Sequence, residues 1–372
     1  MTGDRRADTI TLLLTLADTR PDTARAEVLI RSGIDWDLLL AQATRHRVLP
    51  LVARNLRAGD LFMPSAYGYA TMDVYLGAYA YHRHRNEALR EEFTAVSETL
   101  DRAGLPFAIR KGLLLATRYY RDLGVRPMMD IDLLVERESG AAVVDTLATL
   151  GYSVGKVSGN GRVIEPLPRN EELFWRLHTN VLPPLFRLTG DPAVRIYNVD
   201  LSRELSLPGA GMRIPTGEIL SRARPVSIGA VDVLAGCPED LVLDLCAHTF
   251  KESTTLRYLH RLKHQRLIQY CDLREVLRAE RDALCWNTLV QRARDYQAAP
   301  AVYFALSHLE SMWPGTIPAA ALAQLGDGLD ATFLDRFGAL DLAEPMTWDT
   351  DFRTRMFDSR MDLPLPQGTS AV

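Results

Sequence analysis

The stretch RPMMDIDLLVERE, residues 126–138, places two carboxylates, Asp130 and Asp132, inside an apolar run. The run predicts a buried strand over about residues 129–136, in which residues i and i+2 point to the same face. An ionised carboxylate is costly to bury unless it is paired, protonated or bound to a metal. Two carboxylates on one strand face repel each other, and a divalent cation relieves that repulsion. The motif fits a Mg²⁺ site of the kind that handles phosphates, and taken alone it fits a surface edge strand or a capping arrangement as well.

A candidate phosphate-binding turn lies just upstream. LPFAIR (105–110) predicts a short buried strand, Lys111-Gly112 a turn, and LLLATRYYRDLG (113–124) a helix. A helix N-terminus offers unpaired N–H groups and the positive end of the helix dipole to phosphates. Gly112 would let a phosphate approach the backbone, and Lys111 would add a positive charge. The alternative is a tight turn with a solvated lysine.

A third carboxylate and an arginine are further candidate residues of the same site. AVRIYNVDLSREL (193–205) predicts another strand, on which Asp200 shares a face with Asn198. In a two-metal site such a carboxylate ligates one metal and acts as base toward the incoming hydroxyl. Arg126 is close enough in sequence to reach a triphosphate, although it also fits a solvated loop position. The predicted catalytic and metal-ligating residues are Asp130, Asp132 and Asp200, and the predicted cofactor is Mg²⁺ or Mn²⁺.

This order of elements resembles the core of the polymerase-beta-like nucleotidyltransferase superfamily. More narrowly, it resembles a bacterial family of uncharacterised nucleotidyltransferases found near peptide and other natural-product biosynthesis genes. The matching segments are LPFAIRKGLLLATRYY, Arg126, DIDLLVE and YNVDLSREL. Lys111-Gly112 stands where the superfamily usually has Gly-Ser, and Asp200-Leu201-Ser202-Arg203 stands where relatives often have D-x-H-W.

The resemblance implies an α+β fold, in which a small mixed β-sheet core is flanked by N-terminal and C-terminal helical domains. It also implies transfer of a nucleoside monophosphate from an NTP, most simply ATP, to a hydroxyl or similar acceptor on a small molecule, peptide or protein. Lys111, Gly112 and Arg126 would hold phosphates. His248 and Lys251 in LCAHTFKE would contact the nucleotide, as accessory helices do in related enzymes. The alternatives are a phosphotransferase using the same residues and a non-catalytic nucleotide-binding scaffold.

The predicted domains are helical over 1–100, a nucleotidyltransferase core over 101–235, helical over 236–360, and a disordered tail over 361–372. The formal net charge of −4 provides no global basic field, so a nucleic-acid acceptor is left open but not favoured. No apolar segment approaches the ~18 residues of a membrane span, which favours a cytoplasmic protein without a membrane partner. The four cysteines contain no C-x-x-C pair and are expected to be reduced and mostly buried.

Two further groups have no assigned role. His178, between the two carboxylate strands, fits either the cleft or a structural position. Arg257, His260, Arg261 and His264 have helical spacing, which predicts one basic helix face. Such a face is either solvated or guides an anionic acceptor.

Overall fold

The computed structural model describes residues 2–62, 68–358 and 363, and the chain divides into two compact units. The first unit comprises Met1–Arg203 and Ala223–Ala235. The second comprises Glu204–Arg222 and Gly236–Val372. No helix in the described part of the chain is long and apolar enough to cross a membrane.

The first unit contains the following helices, some of whose ends carry the caps that local sequence rules predict. They are α1 (Thr2–Leu16), α2 (Thr23–Gly33), α3 (Trp36–Arg45), α4 (Leu49–Ala58), α5 (Gly68–Arg102), α6 (Lys111–Leu114, continued by a π-helix at Leu115–Tyr120), α7 (Gly140–Ala148) and α8 (Arg169–His178). The Asp35 side chain caps α3 by accepting from the Leu38 N–H at 3.0 Å, and Pro50 lies in the first turn of α4. Gly104, with φ +67°, follows the end of α5.

The strands of the first unit are β1 (Phe107–Ile109), β2 (Ile131–Val135), β3 (Ser153–Val154), β4 (Lys156–Val157), β5 (Ile164–Glu165), β6 (Leu185–Leu188), β7 (Ile196–Ser202), β8 (Arg224–Ile228) and β9 (Val231–Ala235). Seven of them form one mixed sheet in the order β3-β6-β7-β2-β1-β9-β8, and β4 pairs with β5 as a separate hairpin. Strand β2 is central, antiparallel to β1 and parallel to β7. With helices flanking this mixed sheet, the predicted α+β class is confirmed.

The opening motif forms a shorter strand than its apolar run predicts. All five residues of β2 are buried, because the strand lies in the middle of the sheet. The strand begins at Ile131 and not at residue 129, so Asp132 is a strand residue while Asp130 directly precedes the strand. The two acids are therefore held differently, one by the sheet and one by the segment before it.

The second unit is mainly helical. Its elements are α9 (Thr216–Arg222), α10 (Pro238–Thr254), α11 (Leu256–Leu259), α12 (Leu267–Ala279), α13 (Trp286–Asp295), α14 (Ala299–Met312), α15 (Ala319–Leu325), a 3₁₀ turn (Phe333–Asp335), β10 (Arg336–Phe337), β11 (Met346–Thr347) and α16 (Phe352–Phe357). Buried Asp240 joins two of the helices to α10, since Arg222 Nε lies 3.1 Å and Arg292 Nη1 3.0 Å from its carboxylate. All four cysteines are free thiols and three of them are buried, as predicted, while Cys285 is exposed.

The predicted basic helix face at residues 257–264 is wrong. Helix α11 ends at Leu259, and the backbone then turns through Leu262, which has φ +51°. His264 is only 1% exposed and stacks on Trp348, with ring centroids 6.5 Å apart. The local spacing is helical, but the left-handed backbone at Leu262 ends that path after the single turn whose Leu256 and Leu259 are buried with Phe337.

Candidate active site

Three aspartates converge at the start of the central strand. Asp132 in β2 and Asp200 in the parallel neighbour β7 are register partners, so they lie side by side. Asp130, two residues before Asp132, contributes the third carboxylate. One oxygen from each of the three lies within 4.8 Å of the others, close enough to hold a metal ion together. The structure thus brings the three sequence-predicted carboxylates to one place, although they come from chain segments about 70 residues apart.

Asp132 is held as a fixed anion. Its side chain is 7% exposed, and its Oδ1 lies 2.9 Å from Lys111 Nζ. Burial alone raises the pKa of this carboxyl, but the positive charges of Lys111, Arg110 and Arg126 outweigh burial and hold the pKa below its ordinary value. Asp132 therefore stays ionised at neutral pH.

Asp130 behaves in the opposite way. Burial, and then the negative charges of Asp132 and Asp200, raise its pKa from 3.8 to about 7, and the cations Lys111 and Arg47 only partly offset them. Near neutral pH this carboxyl is divided between its protonated and ionised forms. A cation held among the three aspartates would offset the repulsion by Asp132 and Asp200, which is the second cause of the raised pKa after burial.

The Lys-Gly turn leads directly into this group. Arg110 ends the β1 segment, its N–H donating to the Asp132 carbonyl at 3.0 Å, and α6 begins at Lys111 with φ +31°. That left-handed backbone is strained for a lysine and directs the chain over the start of β2. A Cβ added to Gly112 would lie 3.6 Å from the Asp130 carbonyl oxygen and 3.7 Å from Asp132 Oδ2. Glycine at this position therefore keeps space open beside the carboxylates.

Arg126 lies on the same side of the site. It is half-buried, and its Nη1 is 3.5 Å from the Gly112 carbonyl oxygen. Its charge also lowers the pKa of Asp132. The three predicted phosphate ligands in the first unit, Lys111, Gly112 and Arg126, are consequently adjacent to one another and to the aspartates.

Three further candidate residues, His178, His248 and Lys251, make the contacts described next. His178, at the end of α8, is exposed and lies against Phe174, with ring centroids 5.5 Å apart. His248 and Lys251 lie on α10 of the second unit. There His248 Nε2 is 3.8 Å from Glu252 Oε2, and Lys251 Nζ is 5.6 Å from the Tyr258 ring centroid.

Sequence reasoning missed two arginines that act on the aspartates. Arg110 is 7% exposed, donates from Nη1 to Ser202 Oγ, and lowers the pKa of Asp132. Its neighbours in LPFAIRKG provided a signal, because a charged residue between a buried strand and the Lys-Gly turn needs a polar partner. Arg47, which opposes the rise in the Asp130 pKa, lies in a turn between α3 and α4, with φ +58°. Nothing in the local sequence indicated that this turn approaches the site.

Comparison with known protein families gives one finding. Residues 32–314, more than half of the chain, match a family described as uncharacterised nucleotidyltransferase. The matched range includes the three aspartates, the Lys-Gly turn and helix α10. No curated protein matches the chain.

Proposed function

The chain belongs to the uncharacterised nucleotidyltransferase family, and from this premise we propose that it is a Mg²⁺-dependent enzyme using an NTP. It transfers a nucleoside monophosphate, from ATP in the simplest case, to a hydroxyl or similar group on a small molecule, peptide or protein. The observation that carries the proposal is the juxtaposition of three converging carboxylates with a cluster of cations. Such a site can bind a cation and polyphosphate side by side.

The donor set suits a hard divalent cation. Mg²⁺ is bound in proteins by one or two carboxylates together with substrate phosphates, and Mn²⁺ accepts the same oxygen ligands. Asp130, Asp132 and Asp200 would hold it, and their oxygens lie within 4.8 Å of one another. When bound, the cation would neutralise phosphate charge during displacement at phosphorus.

The side chains of the first unit have distinct roles in the proposed reaction. Lys111 can donate to a phosphate while keeping its contact with Asp132, because an ammonium group has three donors. Arg126 contributes a planar donor group that suits phosphate oxygens. Gly112 leaves room for the polyphosphate beside Asp132. These contacts position the α-phosphate, which is the main contribution of a protein to phosphoryl chemistry.

Asp200 is the proposed base. Its carboxylate accepts the proton of the acceptor hydroxyl as that oxygen forms a bond to the α-phosphorus. The bond between the α-phosphorus and the bridging oxygen breaks, and pyrophosphate leaves with that oxygen. His248 and Lys251 remain proposed nucleotide ligands through the family resemblance, and substitution of each tests them by its effect on nucleotide affinity.

The first test is nucleotide binding without an acceptor. Calorimetry with α,β-methylene ATP, which cannot release pyrophosphate, is carried out with Mg²⁺ and again with EDTA. We expect binding that requires Mg²⁺ and that is lost in Asp132→Asn, with Asp335→Asn in the second unit as the matched control. Absence of Mg²⁺-dependent binding to the analogues of all four ribonucleotides would refute the proposal.

The second test identifies the transferred group. The protein is incubated with a small-molecule extract of its source cells and ATP labelled at either the α- or the γ-phosphate. Label transferred from the α-position supports nucleotidyl transfer. Label transferred only from the γ-position shows a phosphotransferase instead. Mg²⁺-dependent binding with no transfer from any of the four labelled NTPs, and unchanged cellular function of Asp130→Asn, indicate a nucleotide-binding scaffold.

A further inference from the structure

Helix α5 holds the segment that leads into β2. Asn86 donates from Nδ2 to the carbonyl oxygens of Leu123 at 2.5 Å and Arg126 at 2.8 Å. The Asn86 side chain is fully buried, and its Oδ1 has no hydrogen-bond partner among the described residues. An unsatisfied buried oxygen is unfavourable, so packing alone does not explain an amide here. The reason for an amide at this position is therefore the pair of hydrogen bonds that it donates to the two carbonyls.

Arg85, the preceding residue of α5, continues the same arrangement. Its Nε donates to the Met128 carbonyl at 3.1 Å and its Nη2 to the Met129 carbonyl at 3.3 Å. Arg85 is only 6% exposed, and a buried cation needs such acceptors. The planar guanidinium can reach two successive carbonyls because its donors are held in one fork, which a lysine ammonium cannot reproduce.

The held segment, residues 121–130, belongs to neither a helix nor a strand. Its backbone carbonyls are therefore not fixed by the hydrogen bonds of a sheet. Side-chain donors of α5 bind four of these carbonyls instead. Two of the four anchored carbonyls are those of Arg126, a proposed phosphate ligand, and Met129, which is bonded directly to Asp130. The anchors thus lie at the backbone of one site residue and next to that of another.

We propose that Arg85 and Asn86 are positioning residues, which fix Arg126 and Asp130 in the geometry that binds the metal and the nucleotide. The inference rests on the proposed function of the site. It assigns the N-terminal helical region a part in the active site, through backbone contacts and not through side chains that touch the substrate. Loss of a hydrogen bond to a metal ligand itself typically weakens metal affinity by about 10–100-fold, and we expect the lower end here because these anchors hold the backbone next to a ligand.

The test uses Arg85→Lys, which keeps the charge and removes the two-carbonyl fork. The matched control is Arg83→Lys on the same helix, where the arginine side chain is 58% exposed and pairs with Glu87 at 3.0 Å. Two readouts are measured below the melting temperature of every variant, with folding checked by circular dichroism. The first is hydrogen exchange of residues 121–130 in EDTA. The second is Mn²⁺ affinity, measured by electron paramagnetic resonance with and without α,β-methylene ATP.

We expect Arg85→Lys to exchange faster at residues 121–130 and to bind Mn²⁺ about 10-fold more weakly, while Arg83→Lys matches the wild type. If Arg85→Lys does not fold, Asn86→Ser, which retains one donor, is measured in its place with the same expectation. Unchanged exchange, unchanged Mn²⁺ affinity, or an equal loss in Arg83→Lys overturns the positioning role.

The outcome for the wild type separates this inference from the proposed function. Mn²⁺ binding that Asp130→Asn abolishes supports the site, and the variant comparison then decides the role of Arg85 alone. Wild-type protein that binds no Mn²⁺ at this site contradicts the proposed function and removes this inference with it. Faster exchange without weaker Mn²⁺ binding shows a tether that serves stability only.

Discussion

Replacing Asp130 with asparagine is predicted to stabilise the metal-free protein. The folded-state pKa of this carboxyl is about 7, against an ordinary value of 3.8. Because the folded pKa lies above the unfolded value, the folded state binds more protons between pH 4 and 7, and stability falls as the pH rises through that window. The penalty is complete above pH 7 and absent below pH 4. Asparagine has a similar shape and no charge, so the variant escapes it.

The size of the effect follows from the pKa difference. About three pKa units correspond to about 4 kcal/mol when fully expressed. Solvent reaches the half-buried Asp130, and screening reduces the expected gain to about 1–2 kcal/mol at pH 8. The gain declines as the pH is lowered from 7 toward 4. Urea unfolding in EDTA at pH 5, 6, 7 and 8, followed by tryptophan fluorescence, measures it.

The matched substitution two residues later is predicted to have the opposite sign. Asp132→Asn removes the counter-ion of Lys111, whose side chain is 13% exposed and whose Nζ lies 2.9 Å from Asp132 Oδ1. Losing one partner of a buried pair typically costs about 3–5 kcal/mol, and we expect about 2 kcal/mol because the charge of Lys111 also acts on Asp130. If both variants change stability in the same direction, or if the effect of Asp130→Asn does not depend on pH, the electrostatic account is wrong.

Three further substitutions test other parts of the first unit. Gly112→Ala is expected to leave the urea midpoint unchanged, since its Cβ makes only ordinary contacts at 3.6–3.7 Å, but to weaken calorimetric binding of Mg²⁺ and α,β-methylene ATP about 10-fold, or about 1.4 kcal/mol. Ser202→Ala removes the hydroxyl that accepts from Arg110 and should lower the unfolding free energy by about 1–3 kcal/mol, with no change contradicting that contact. Gly124→Ala places a Cβ 2.4 Å from the Tyr79 ring and should cost about 1–3 kcal/mol in thermal or urea unfolding, whereas a neutral result would show that the ring moves freely.

Local sequence rules predicted the individual strands and the turn of the site, but they did not predict how these elements come together. The alternation of DIDLLVE and the turn residues Lys111-Gly112 predicted a strand and a strand-to-helix junction, and both are present. The register that sets Asp132 beside Asp200 is non-local, because β2 and β7 are separated by two helices and four other strands. Strand periodicity fixes which face a side chain occupies, whereas pairing between distant strands depends on the packing of the whole sheet.

The sequence failed where long-range contacts decide the conformation. Spacing alone predicted a continuous helix through residues 257–264, but the chain turns at Leu262 and buries His264. Likewise, nothing in the local pattern of α5 distinguishes Arg85 and Asn86, which donate to the segment before β2, from the exposed polar residues Arg83 and His84. Helical spacing marks which residues share a face, and it does not identify which backbone that face meets.

The two acids in DIDLLVE can lie in an apolar run because the charge of each is compensated in a different way. Asp132 belongs to the sheet, and Lys111 compensates its charge within the protein, so its burial requires no ligand. Asp130 precedes the sheet, and Asp132 and Asp200 oppose its ionisation, so a proton or a cation must compensate it. One fixed anion beside one carboxyl that exchanges its proton keeps the metal-free fold intact and, under the proposed function, would leave affinity for a cation. Full compensation of both acids by lysine or arginine would stabilise the fold further and remove that affinity.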